Sequence, residues 1–150
     1  MPVTMEDVRA ALDPEEPDYA EAQKLGPEAA PHLKELVQGP DLGLASKAAY
    51  LASLIESEGS LEVLTIAATS AEPVLRVAAA SAIRNLPERD AERVMDLVME
   101  DKDAGVRKVT LRSAAQLRSP RLAAKIRKLA EHDPESSIRA LATEIEEEMK

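Results

Sequence analysis

The chain has 150 residues, 45% of them hydrophobic, a net charge of −9, and no Cys, Trp or Phe. Without Cys there are no disulfides, thiolate metal sites or cysteine nucleophile. Without Trp or Phe, on an acidic chain, the stacking surfaces and basic groove needed to handle an extruded base are missing. What remains is one domain by length, rich in Ala and Leu, whose helix propensity is high.

Residues 1–26 are predicted to hold a short helix near 5–12, an acidic stretch Asp13-Pro14-Glu15-Glu16-Pro17, and a second short helix from 18 to 25. Together they form an N-terminal cap on the remainder of the chain. No basic n-region with a long apolar h-region is present, and no apolar run approaches the roughly 20 residues that span a bilayer. A soluble, cytoplasmic protein is expected.

From residue 27 onward one pattern is written four times. Asp41, Glu72, Asp103 and Glu135 each stand three residues before an apolar residue, Leu44, Leu75, Val106 and Ile138, at spacings of 31, 31 and 32. The next position is Ala45 in the first copy and Arg76, Arg107 and Arg139 in the others. A period of this size marks stacked repeats. Counting from that position, residues at −1, +3, +6 and +10 are apolar or small, which is one face of a helix. A second amphipathic segment precedes each of these helices. The predicted pairs are 27–38 with 41–55, 60–69 with 72–86, 89–100 with 104–117, and 120–131 with 135–149, giving repeats 27–57, 58–87, 88–118 and 119–150. Pro27, Pro73, Pro120 and Pro134 lie near helix starts, where a missing N–H costs nothing, and Ser119 and Asp133 are placed as N-caps. The polar run Glu144 to Lys150 suits an outer cap, so the array reads as complete.

The turn-and-helix sequence Asp101-Lys102-Asp103-Ala104-Gly105-Val106-Arg107 resembles the HEAT repeat, including its bacterial HEAT-like form. The resemblance covers about residues 27 to 149. It implies an all-α, right-handed α-solenoid with first helices on the convex side and second helices lining the concave side. It also implies a stacked acid–Arg ladder, which Ala45 keeps from extending into the first repeat. HEAT-type proteins mostly serve as binding surfaces or scaffolds. Some are DNA glycosylases, and the bacterial form also occurs in phycobilin lyases, where it handles a chromophore.

Four residues apart at each helix start, Glu72 and Arg76, Asp103 and Arg107, and Glu135 and Arg139 are expected to pair along one helix face, a structural role. Residues 105–130 carry eight Lys and Arg with no acid, whereas residues 1–37 carry nine acids against three bases. Such a basic block can attract an anionic partner. The more economical reading is that it stitches to Glu88, Asp90, Glu92, Asp96 and Glu100 before it and to Glu144, Glu147 and Glu148 after it, because each repeat touches its neighbours. On the concave side the register +1, +5, +8 gives Ser46, Tyr50, Ser53; Val77, Ser81, Arg84; Lys108, Arg112, Ala115; and Ala140, Glu144, Glu147.

The expected partner-binding residues are therefore Tyr50, Ser81, Arg84, Lys108 and Arg112, joined by the convex bases Arg121, Lys125 and Lys128. Tyr and Arg are frequent interface anchors. An acidic helix or tail of another protein is the expected ligand, by charge complementarity. Small-molecule or cofactor handling and phosphate binding by the 105–130 block are the alternatives. Catalytic residues and a metal site are not expected. Neither His32 nor His132 is followed by Glu, so the His-Glu motifs of HEAT-built iron hydroxylases are absent.

Overall fold

Capping residues fix where the helices begin. In the computed structural model, which describes residues 2–150, Thr4 and Asp7 form a capping box at the start of α1 (Met5–Leu12): the Thr4 side chain accepts from the Asp7 N–H and the Asp7 carboxylate from the Thr4 N–H. Asp18 caps α2 (Tyr19–Ala22), which runs into a 3-10 turn, Gln23–Leu25. Gly26 then takes φ 74°, ψ −172°, a conformation essentially reserved for glycine. This break is why the helix predicted from 27 starts later. Pro27–Ala29 is a 3-10 turn, and α3 runs Ala30–Val37.

Asp41 caps α4 (Leu42–Ser53), and Ser57 caps α5 (Glu58–Ala68). Pro73 opens α6 (Pro73–Ala82), which tightens into a 3-10 turn, Ile83–Asn85. It ends at Leu86, held extended at ψ 152° by the proline that follows it. The array continues with α7 (Glu88–Val98), α8 (Ala104–Leu117, capped by Asp103), α9 (Pro120–His132, capped by Ser119) and α10 (Ser136–Glu148). There is no β-strand among the described residues. Asp133, expected as an N-cap, instead closes the C-terminus of α9. The N-cap of α10 is Glu135, whose side chain makes no capping bond.

Two layers result. First helices α3, α5, α7 and α9 stack on one another, and second helices α4, α6, α8 and α10 stack on one another. Along the array the second-helix layer packs more extensively between repeats than the first-helix layer does. The molecule therefore curves with its second helices inside, as an α-solenoid.

The core runs between the layers. Leu33, Leu51, Leu64, Ile83, Met95, Leu111, Leu122 and Ile126 are fully buried, each contributing about 1.5–3 kcal/mol. Alanines let the helices approach closely: Ala48, Ala49, Ala52, Ala67, Ala79, Ala80 and Ala82 sit in the same core. At Gly59 a Cβ would stand 2.8 Å from that of Ala30, so α3 and α5 touch through a missing side chain. The N-terminal segment is tied down at three points. The Lys47 ammonium donates to the carbonyls of Leu12 (3.1 Å) and Pro14 (2.8 Å), the Tyr19 and Tyr50 rings meet edge-on with centroids 4.8 Å apart, and His32 Nε2 donates to the Val3 carbonyl at 2.9 Å.

Candidate functional site

The arginines that follow the apolar helix-start residues do not pair with the acid four residues before them. Arg76 Nε lies 2.7 Å from Asp101 Oδ2 and its Nη2 3.3 Å from Oδ1, while Nη1 donates to the carbonyls of Ser70 and Ala71. Arg107 repeats the geometry one step on, donating to Asp133 at 2.7 and 3.2 Å and through Nη1 to the Asp101 carbonyl at 2.6 Å. Arg139 gives the same bond to the Asp133 carbonyl. The expected partners Glu72, Asp103 and Glu135 are N-caps on the turn instead, and only Asp103 makes side-chain capping bonds. The ladder is real but runs between repeats, because the side chain at this helix start turns back over the preceding turn and across to the next one.

The missing rung is missing on both sides. Asp101 and Asp133 stand six positions before the next arginine, and each accepts a backbone N–H two residues on, from Asp103 and Glu135. The equivalent residue ahead of Arg76 is Ser70, which accepts from the Glu72 N–H in the same way. Ser70 is where the partner of Ala45 would be. Arg and Asp are therefore absent together at the first joint, where no charge is left buried without its partner.

The basic block divides by the side of the solenoid it occupies. On convex α9, Arg121 reaches Glu88 (3.8 Å) and Glu92 (3.5 Å), Lys125 pairs with Asp96 and Glu92, and Lys128 sits 2.9 Å from Glu100. These three bases, expected to join a binding surface, are engaged as ties to α7 and the turn that follows it. Arg127 pairs with Glu131 and Glu146. On α8, Arg107 is consumed by Asp133, whereas Lys108, Arg112 and Arg118 make no ion pair among the described residues.

The concave stripe is thus only partly the one predicted. Arg112 shares a hollow with Arg84, Glu144 and Glu148, floored by Ala115, Leu141 and Ile145. Lys108, one turn before Arg112, is exposed. Ser81 is half-buried, and its carbonyl accepts both from Arg84 Nε (3.0 Å) and from Ser113 Oγ (3.3 Å), bracing the arginine. Ser53 is buried and accepts from Asn85 Nδ2 at 3.0 Å. Tyr50, read as an interface anchor, is half-buried and meets the Tyr19 ring of the N-terminal segment edge-on. Burial, with the Tyr50 phenol second, raises the Tyr19 pKa above the ordinary tyrosine value.

Elsewhere, Met99, Leu129 and Pro134 floor a hollow between the last two inter-helix turns, rimmed by Lys102 and His132. His132 is exposed. Among the described residues no group of three His, Asp or Glu side chains is placed to hold a metal ion, and no helix is long and apolar enough to cross a membrane.

Stacked helix pairs curved around a second-helix layer and joined by buried Arg–Asp rungs define an α-solenoid repeat protein. The model of HEAT repeats matches residues 60–145, and the chain belongs to that family. No curated protein matches it significantly. The solved structures similar to it include that of the complex of CpcE and CpcF of phycocyanin lyase from Nostoc sp. PCC7120. That likeness has a TM-score of 0.67 at 19% identity and covers 94% of this chain and 96% of that one. At this identity the likeness is one of fold.

Proposed function

We propose that the chain is a non-enzymatic adaptor that holds an acidic segment of another protein on its concave face. Lys108 and Arg112 supply the charge, and Arg84, braced by the Ser81 carbonyl, supplies a planar, bidentate donor for a carboxylate. The observation that carries this reading is selective pairing. Every base of the 105–130 block on the convex helix is matched by a carboxylate, and the two on the concave side of α8 are not. Stitching explains the first group, whereas Lys108 and Arg112 form no ion pair among the described residues, although Arg112 shares its hollow with Glu144 and Glu148.

The small apolar floor of Ala115, Leu141 and Ile145 gives a bound helix something to bury against. The Nostoc chain of similar outline is solved in a complex of two proteins, which agrees with a protein-binding role. Phosphate binding is disfavoured by the same pairing, because five of the eight bases in the block are already neutralised.

The test compares affinity capture by the native protein with capture by the variant Arg84→Glu, Lys108→Glu, Arg112→Glu, helicity being checked by circular dichroism. A protein retained by the first and lost by the second, whose acidic segment then binds as an isolated peptide, is the expected result. An unchanged set of captured proteins refutes the reading. An absorbing chromophore that copurifies with the native protein, and is lost with the triple variant, would favour cofactor handling instead.

A further inference from the structure

Arg139 makes half of the contact that Arg76 and Arg107 make in full. Those two each hold a carbonyl of their own turn through Nη1 and grip the Asp of the next turn, 25 and 26 residues on, through Nε and Nη2. Arg139 makes the first contact, to the Asp133 carbonyl at 2.6 Å. Its Nε and Nη2 have no hydrogen-bond partner, and it forms no ion pair, among the described residues. Arg76 and Arg107 are each 6% exposed, whereas Arg139 is half-buried. The carbonyl therefore steers a guanidinium whose two-point carboxylate grip is unused.

The helix beside it tells the same story. Ala91, Met95 and Val98 of α7 and Leu122, Ile126 and Leu129 of α9 are buried alike at a spacing of 31. In that register Glu92 and Asp96, which reach forward from α7 to Arg121 and Lys125, correspond to Ala123 and Arg127 of α9. Ala123, with Pro120, Ala124 and Met149, lines a hollow between α9 and α10. At 100° per residue, Ala123 lies on the opposite side of α9 from Arg121, which faces α7.

We infer that the α9–α10 end receives a helix–turn–helix unit of a partner protein, stacked as one more repeat, whose turn Asp fits Arg139 as Asp133 fits Arg107. The array itself shows twice what covers this surface. Opposite Ala123 and Arg127, the partner's first helix should carry an apolar residue and an acid, where α9 presents Arg121 and Lys125 to Glu92 and Asp96. A second copy is the poorer fit, because its turn aspartates Asp101 and Asp133 are already held by Arg76 and Arg107. The site uses none of Arg84, Lys108 and Arg112, so it is independent of the concave reading.

The probe is a fluorescein-labelled peptide, residues 119–150 with Arg121→Leu and Lys125→Glu, whose Asp133 is free of Arg107. Fluorescence anisotropy with the full chain should show saturable binding. Arg139→Gln in the chain and Asp133→Asn in the peptide should each weaken it at least tenfold, with little further loss when both are changed. As a second measurement, the same segment is fused directly after Lys150, which sets its Asp133 at the 26-residue spacing of the Arg107–Asp133 pair. The fusion should raise the urea midpoint, and less so with Arg139→Gln. Binding or stabilisation indifferent to Arg139, or no gain in the fused chain, would overturn the inference. A gain on fusion without peptide binding would refute a separate partner. Dimerisation of the native chain that Arg139→Gln abolishes would make the occupant a second copy and would likewise overturn it.

Discussion

Arg107 and Asp133 bind adjacent repeats through a buried two-point contact, with 7% and 1% of their side chains exposed. Asp133 also orders the turn before α10 by accepting the Glu135 N–H at 2.9 Å. Removing one partner strands a charge, so Asp133→Ala should cost about 3–5 kcal/mol in urea denaturation, whereas the double variant Arg107→Met, Asp133→Leu should recover most of that loss. Equal losses in the single and double variants would mean the pair is not coupled.

At the N-terminus the charge is exposed and the expectation concerns pH. Hydrogen bonds from the Thr4 backbone and then from its side chain, with His32 nearby, hold the Asp7 carboxyl below its ordinary value of 3.8. A depressed folded-state pKa contributes stability that is fully present above 3.8 and is lost as pH falls through the lower folded value. Asp7→Ala should therefore loosen α1 at neutral pH, measured by amide exchange of Val8 to Leu12. The difference from the native protein should close below the usual carboxylate range.

Two backbone positions should respond in opposite directions. Gly26 at φ 74°, ψ −172° cannot accept a side chain without strain, so Gly26→Ala should lower stability by about 1–3 kcal/mol. Arg118 ends α8 at φ 47°, the only positive φ outside glycine among the described residues. Arg118→Gly should relieve a left-handed residue and raise stability by about 0.5–1 kcal/mol, read as a shift in the denaturation midpoint at unchanged slope.

Close packing makes a fourth test. A methyl at Gly59 meets Ala30 at 2.8 Å, so Gly59→Ala should cost about 1–3 kcal/mol by overpacking. Adding Ala30→Gly to it should restore part of the loss, and failure to do so would place the strain elsewhere.

Helices were legible because their signals are local. The 3.6-residue spacing of Leu75, Ala79 and Ala82, the cap at Ser119, and the prolines at 73 and 120 all act within a turn or two. The ladder was not, because Asp101-Lys102-Asp103 offers two acids and sequence spacing favours the nearer one. A signal existed: acids recur six positions before Arg107 and Arg139 but not before Arg76, and the preceding repeat lacks its arginine at that same step. The Tyr19–Tyr50 contact was not legible for a different reason: it joins segments whose approach no periodicity encodes.

The joint without a rung, Ala45 facing Ser70, gives the array unequal answers to temperature. Apart from the exposed Lys34–Glu62 pair and the Asn85–Ser53 hydrogen bond, apolar contacts hold that joint, and apolar attraction weakens on cooling. The two joints beyond it add a buried ion pair, whose desolvation cost falls on heating. Because each repeat leans only on its neighbours, these differences are not averaged over the molecule. Cold should free the first repeat and the cap resting on it while the far joints stay closed, and warming should reverse the order of opening.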